Sequence, residues 1–110
     1  MANVLGTEYQ VIATNDFNEY PYLKEMAGYT DYTTKTIVVR NYKLEECQVG
    51  DCKNQMEIMK RVIRHELTHA FMYESGLWCN SEFGSNEELT DWIAIQFPKL
   101  LEVFNELEVI

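Results

Sequence analysis

The 110-residue sequence predicts a single α+β domain, a small N-terminal sheet followed by two helices, and three observations carry that expectation. Short β-branched and aromatic runs occupy the first forty residues. Beyond residue 54 the apolar residues recur at spacings of three and four, the period of an amphipathic helix. No internal repeat, low-complexity tract or Pro/Gly/Ser-rich linker divides the chain.

Glu8–Ala13 (EYQVIA) reads as a first strand. Asn15–Asn18 form a polar break, and Tyr20–Ala27 suit a short helix or irregular segment around Pro21. Gly28–Lys35 looks like a strand end and turn, and Thr36–Arg40 (TIVVR) is the clearest strand. These segments predict an antiparallel or mixed sheet ahead of the helices. Asn54 has the form of an N-cap, with Glu57 three residues on. Met56, Met59, Ile63, Leu67, Ala70 and Phe71 then give the helical period to Glu74, with Gly76 placed to end the helix. After a loop over Leu77–Ser85, a second helix starts near Asn86, and Pro98 is expected to kink or split it because proline lacks the amide hydrogen. Ile63, Leu67, Phe71, Trp92, Ile93 and Phe97 are expected to form the core between the two helices.

Composition narrows the function. The chain is 46% hydrophobic and 25% charged, which excludes disorder. A net charge of −9 opposes nucleic acid and anionic membrane as partners. No secretory signal is visible at the start, and no run of about 18 apolar residues is present, so a soluble, cytoplasmic protein is expected. Cys47, Cys52 and Cys79 lack a CxxC pair and suit free thiols in a reducing compartment, with a Cys47–Cys52 bridge the alternative. The acidity is concentrated late: residues 1–73 carry net −2, and residues 74–110 carry net −7 with Lys99 the single base. A solvated helix face accounts for such a cluster, and a cation held nearby would also relieve it.

Both histidines of the chain fall in His65-Glu66-Leu67-Thr68-His69, an HExxH pattern in the first helix. Four residues turn a helix by about 400°, so the two imidazoles stack on one face and can converge on one ion. Glu66, about 100° further round, can take a proton from a metal-activated water. A catalytic zinc ion needs a third protein ligand, and no further histidine exists. Met72 and Ser75 stand where the longer HExxHxxGxxH motif needs Gly and His. The third ligand is therefore a carboxylate or a thiolate. The second helix opens Asn86-Glu87-Glu88-Leu89-Thr90-Asp91. Glu87 is favoured, because Asp91 four residues later shares its face and can accept the outer N–H of a ligating histidine. Glu88 stays open as the alternative, and Cys79 is an outside candidate.

These two segments resemble the gluzincin arrangement of zinc metallopeptidases, in which the HExxH helix is followed by a helix carrying an NExxSD-like segment; here Thr90 stands at the serine position. In size, and in the run from Glu87 to Ala94, the chain is similar to small phage and mobile-element proteins related to the ImmA/IrrE metallopeptidases. The resemblance implies a minimal zincin-like fold and a zinc-dependent endopeptidase, with His65, His69 and Glu87 as ligands, Glu66 as general base and a protein or peptide as substrate. The large second subdomain of thermolysin-like enzymes is absent, and no downstream histidine can stabilise the oxyanion. Tyr73, one turn beyond His69, is the candidate for that role, with an exposed or core-packing tyrosine the alternative; the strand Thr36–Arg40 could bind an extended peptide if it lies at the sheet edge, with an ordinary core strand the alternative. Two other readings compete: a catalytically silent zincin-fold binding or regulatory module of phage or mobile-element origin, and a purely structural His-His-Glu cluster.

Overall fold

The computed structural model describes residues 1–42 and 55–110. Four strands come first: β1 (Ala2–Val4), β2 (Thr7–Thr14), β3 (Gly28–Asp31) and β4 (Thr36–Arg40). They are followed by the helix α1 (Gln55–Glu74), the single turn α2 (Leu77–Asn80) and the helix α3 (Glu87–Glu106). The architecture is α+β as expected. The sequence reading placed no strand before Glu8, and the loop Leu77–Ser85 contains α2 and a 3-10 turn at Glu82–Ser85. The predicted N-cap at Asn54, together with Cys47 and Cys52, lies outside the described residues.

The sheet is mixed, in the order β1-β2-β4-β3. β1 pairs antiparallel with β2 across a two-residue turn, Leu5-Gly6, with φ of 51° and 92°. β2 and β4 are parallel, with Val11 opposite Ile37, and β3 is antiparallel to β4, with Tyr29 opposite Val38. β4 is thus interior, so of the two readings of Thr36–Arg40 the structure has the ordinary core strand, and the edge reading is corrected. Its three consecutive buried residues, Ile37, Val38 and Val39, suit a strand covered on both faces. Among the described residues, the edge on this side of the sheet belongs to β3.

α1 packs across the sheet. Met59 and Ala70 join Val4, Tyr9, Ile37 and Val39 in the core, with Val11, Val62, Ile63 and Leu67 packed around them. β3 comes unusually near the helix at Gly28, where an added Cβ would lie 2.9 Å from Val62 Cγ1 and 3.0 Å from Val39 Cγ1. Gly76, at φ 84°, takes the left-handed conformation that follows α1, as the sequence predicts.

α3 runs beside α1 and holds it through the buried Thr90 and Ala94. Pro98 does not split the helix, which is continuous from Glu87 to Glu106. Proline's missing N–H would leave the Ala94 carbonyl without its helical donor, and Arg64 Nε supplies the replacement at 2.7 Å. The expected interhelical core is also corrected. Ile63, Leu67 and Ile93 are half-buried, but Phe71, Trp92 and Phe97 are 44%, 54% and 49% exposed. Leu67, Phe71, Ile93 and Phe97 line an open apolar groove between the helices on the side away from the histidines. No helix among the described residues is long and apolar enough to cross a membrane.

Candidate metal centre

His65, Glu66 and His69 project from the middle of α1 beneath the start of β3, and this group could hold a metal ion: one ligand atom from each lies within 4.8 Å of the others. The i,i+4 spacing does what helical geometry requires, bringing the two Nε2 atoms to 3.1 Å. Glu87, in the first turn of α3, reaches across, with Oε2 3.0 Å from His65 Nε2 and Oε1 3.0 Å from His69 Nε2. Its position follows from a sound helix start, since the Asn86 side chain accepts the Leu89 N–H at 2.7 Å.

The donor set fits a small cation. Bonds of about 2.0–2.1 Å to a tetrahedral ion place neighbouring donors about 3.3 Å apart, close to the three separations seen. Asp91 Oδ1 accepts from His65 Nδ1 at 3.1 Å, which leaves the lone pair of a neutral imidazole on Nε2, facing the other donors. Burial pushes the His69 pKa down, against the pull of Glu87, so its ring favours the neutral form that ligates. Lone pairs and a carboxylate in mutual contact call for a cation or a proton between them. His69 Nδ1 is buried without a hydrogen-bond partner among the described residues, and Trp78 meets the His69 ring edge-on at 5.7 Å, so packing orients this imidazole.

Glu66 is placed differently. Its Oε1 accepts from the Thr30 hydroxyl at 3.1 Å, while Oε2 stands 4.0 Å from His65 Nε2. Burial raises its pKa, partly opposed by His65 and by the Thr30 hydrogen bond. One oxygen is therefore anchored on β3 and the other faces the nitrogen cluster without bridging it.

The remaining sequence candidates are distributed as follows. Asp91 is paired with His65, as argued for a ligand's orienting partner. Glu88 is exposed and has no contact with either histidine among the described residues. Cys79 is an exposed free thiol on α2. Tyr73 is not among the residues lining the hollow over the histidines; it stacks beneath Tyr32, ring centroids 4.4 Å apart.

That hollow is lined by Gly28, Thr30 and Tyr32 from the β3 region, His65, Glu66 and His69, Trp78 and Glu87. A second hollow, on the other side of His65, has Arg61 and Asp91 in its wall. Thr30, Tyr32 and Trp78 were missed in the sequence, where nothing in their spacing links them to the HExxH segment. The fold and site together define a small α+β domain with a His-Glu-His cluster able to hold a metal ion. Comparison with protein-family models, with curated proteins and with solved structures finds no match.

Proposed function

We propose that the chain is a zinc-dependent peptidase of minimal zincin type, with His65, His69 and Glu87 as ligands, Asp91 orienting His65, and Glu66 as general base. The observation that carries this reading is the convergence of two imidazole nitrogens and one carboxylate at 3.0–3.1 Å, with a buried second carboxylate beside them. When bound, zinc supplies Lewis acidity that acidifies a water and polarises a carbonyl. Glu66 Oε2 accepts the water's proton and returns it to the departing amine, while Thr30 holds Oε1 still. Because burial raises the Glu66 pKa, the proton is held more firmly than on an ordinary carboxylate.

An extended peptide suits the surroundings. The outer edge of β3, unpaired among the described residues, borders the same hollow, and strand addition there would carry the substrate backbone past Glu66. The exposed Cys79 thiol suits a reducing interior, where such a peptidase would act.

Metal analysis of the purified chain tests the ligand set. One zinc per chain is expected, lost in Glu87→Ala; full occupancy in that variant would reject Glu87. Turnover of a proteome-derived peptide library is expected to vanish in Glu66→Gln with zinc retained, and activity that survives would reject Glu66 as base. The exposed aromatic groove between α1 and α3 favours a second reading, a silent binding module. Tight zinc without cleavage of any peptide would select it.

A further inference from the structure

Peptide hydrolysis needs more than a base. As the water oxygen bonds to the carbonyl carbon, its proton passes to Glu66 and the π pair of the carbonyl moves onto the carbonyl oxygen. That oxygen needs a positioned hydrogen-bond donor. When the pair returns, the C–N bond breaks and the proton on Glu66 goes to the amine nitrogen. Most donors near the site are already engaged. His65 Nδ1 is bound to Asp91, the Thr30 hydroxyl to Glu66, and Arg64 Nε to the Ala94 carbonyl. His69 Nδ1 is buried out of reach of a substrate.

Two tyrosines line the hollow over the histidines. Tyr29 feels Tyr20, Asp31 and Tyr22 as its charged or titrating neighbours, groups away from the nitrogen cluster. Tyr32 is the one whose hydroxyl feels both Glu66 and Glu87. It follows β3, the edge strand of the sheet among the described residues, and makes no hydrogen bond to any of them. Its ring is held on two sides, by Tyr73 at 4.4 Å and by Trp78 at 5.2 Å, and Trp78 in turn touches His69. A ring fixed in this way presents its hydroxyl without loss of rotamer freedom during the reaction. Tyr73 does not line the hollow, and Lys35 Nζ lies 4.9 Å from its ring, so of the stacked pair Tyr32 is the one at the hollow.

We propose that Tyr32 is a catalytic residue whose hydroxyl donates a hydrogen bond to the carbonyl oxygen of the scissile peptide as that oxygen becomes negative. The assignment rests on the peptidase reading above. The phenol keeps its own proton throughout, and burial with the nearby carboxylates raises its pKa, which favours that form.

The test compares zinc-loaded wild type and Tyr32→Phe, which preserves the stacked ring. On a peptide selected from the library, kcat is expected to fall by about 10²–10³-fold with KM, zinc stoichiometry and Tm little changed. A phosphinic peptide, whose tetrahedral oxygens mimic the charged intermediate, is expected to bind the variant about 10²-fold more weakly, whereas the uncleaved peptide binds Glu66→Gln and Tyr32→Phe/Glu66→Gln alike. Retention of kcat within threefold by Tyr32→Phe would overturn the proposal and leave the peptidase reading standing. So would a loss confined to Tyr73→Phe. A wild-type chain that loads zinc yet cleaves nothing would overturn the peptidase reading, and the role of Tyr32 with it.

Discussion

Glu66 has its two oxygens in different worlds, one tied to a strand hydroxyl and the other turned to the imidazoles. The tie is a single hydrogen bond to the charged form, and it lowers a pKa that burial raises. Thr30→Val is therefore expected to raise the Glu66 pKa further. On the proposed peptidase reading, the acid limb of the kcat/KM profile should move to higher pH, with plateau activity falling less than activity on the acid side. An unmoved limb would show that Thr30 does not control the base. The sequence disclosed the helical half of this arrangement, since His65, Glu66 and His69 obey a fixed angular spacing and Glu87 stands in a marked helix start. Thr30 and Tyr32 were illegible for a physical reason. They reach the site because β3 crosses α1, and no local periodicity encodes which strand crosses which helix.

Among the elements, α3 depends on a donor borrowed from α1. Arg64 Nε replaces the amide hydrogen that Pro98 lacks, so the residue next to His65 closes the gap in the helix that carries Glu87. Arg64→Met should cost about 1–3 kcal/mol in urea unfolding, because the Ala94 carbonyl loses its partner. Pro98→Ala restores the internal donor, so the same Arg64→Met change made in that background should cost about 1 kcal/mol less. Equal costs in both backgrounds would reject the compensation. Of the two expected effects of Pro98, a kink or a split, the split does not occur, because proline's rule concerns one helix alone and the remedy comes from a neighbour. The expected core failed for a related reason. Period 3.6 picks out the apolar stripe of Phe71, Trp92 and Phe97 but does not say whether anything covers it.

For the whole molecule, the join that matters is at the far end of α1. Glu74 Oε2 accepts from Tyr9 on β2 at 3.1 Å and meets Lys35, in the turn between β3 and β4, at 3.0 Å. One carboxylate thus fastens the helix to both parts of the sheet. Burial and the Glu74 hydrogen bond push the Tyr9 pKa up to about 12. A phenol whose pKa is raised on folding contributes stability that is intact below its ordinary value near 10 and lost as pH rises through its folded value. Chemical denaturation should show stability falling between pH 10 and about 12, and Tyr9→Phe should flatten part of that fall. An unchanged slope would reject Tyr9 as a source of it. The α+β class was legible because the period of the apolar residues changes after residue 54. The strand order β1-β2-β4-β3 was not, since alternation along a strand carries no record of its neighbours.

The division of labour between helices and sheet also has a kinetic side. The two imidazoles, Glu87 and Asp91 lie within residues 65–91, on two helices joined by a short connection, whereas Thr30 and Tyr32 arrive only with the sheet. Contacts near in sequence close faster than distant ones, and the parallel β2–β4 pairing is among the distant ones. During refolding the ion-binding cluster can therefore assemble before the base has its strand partner. On the proposed peptidase reading, the chain would then hold metal while still unable to cleave, which would reduce the hazard of a half-folded copy acting on its own unfolded neighbours.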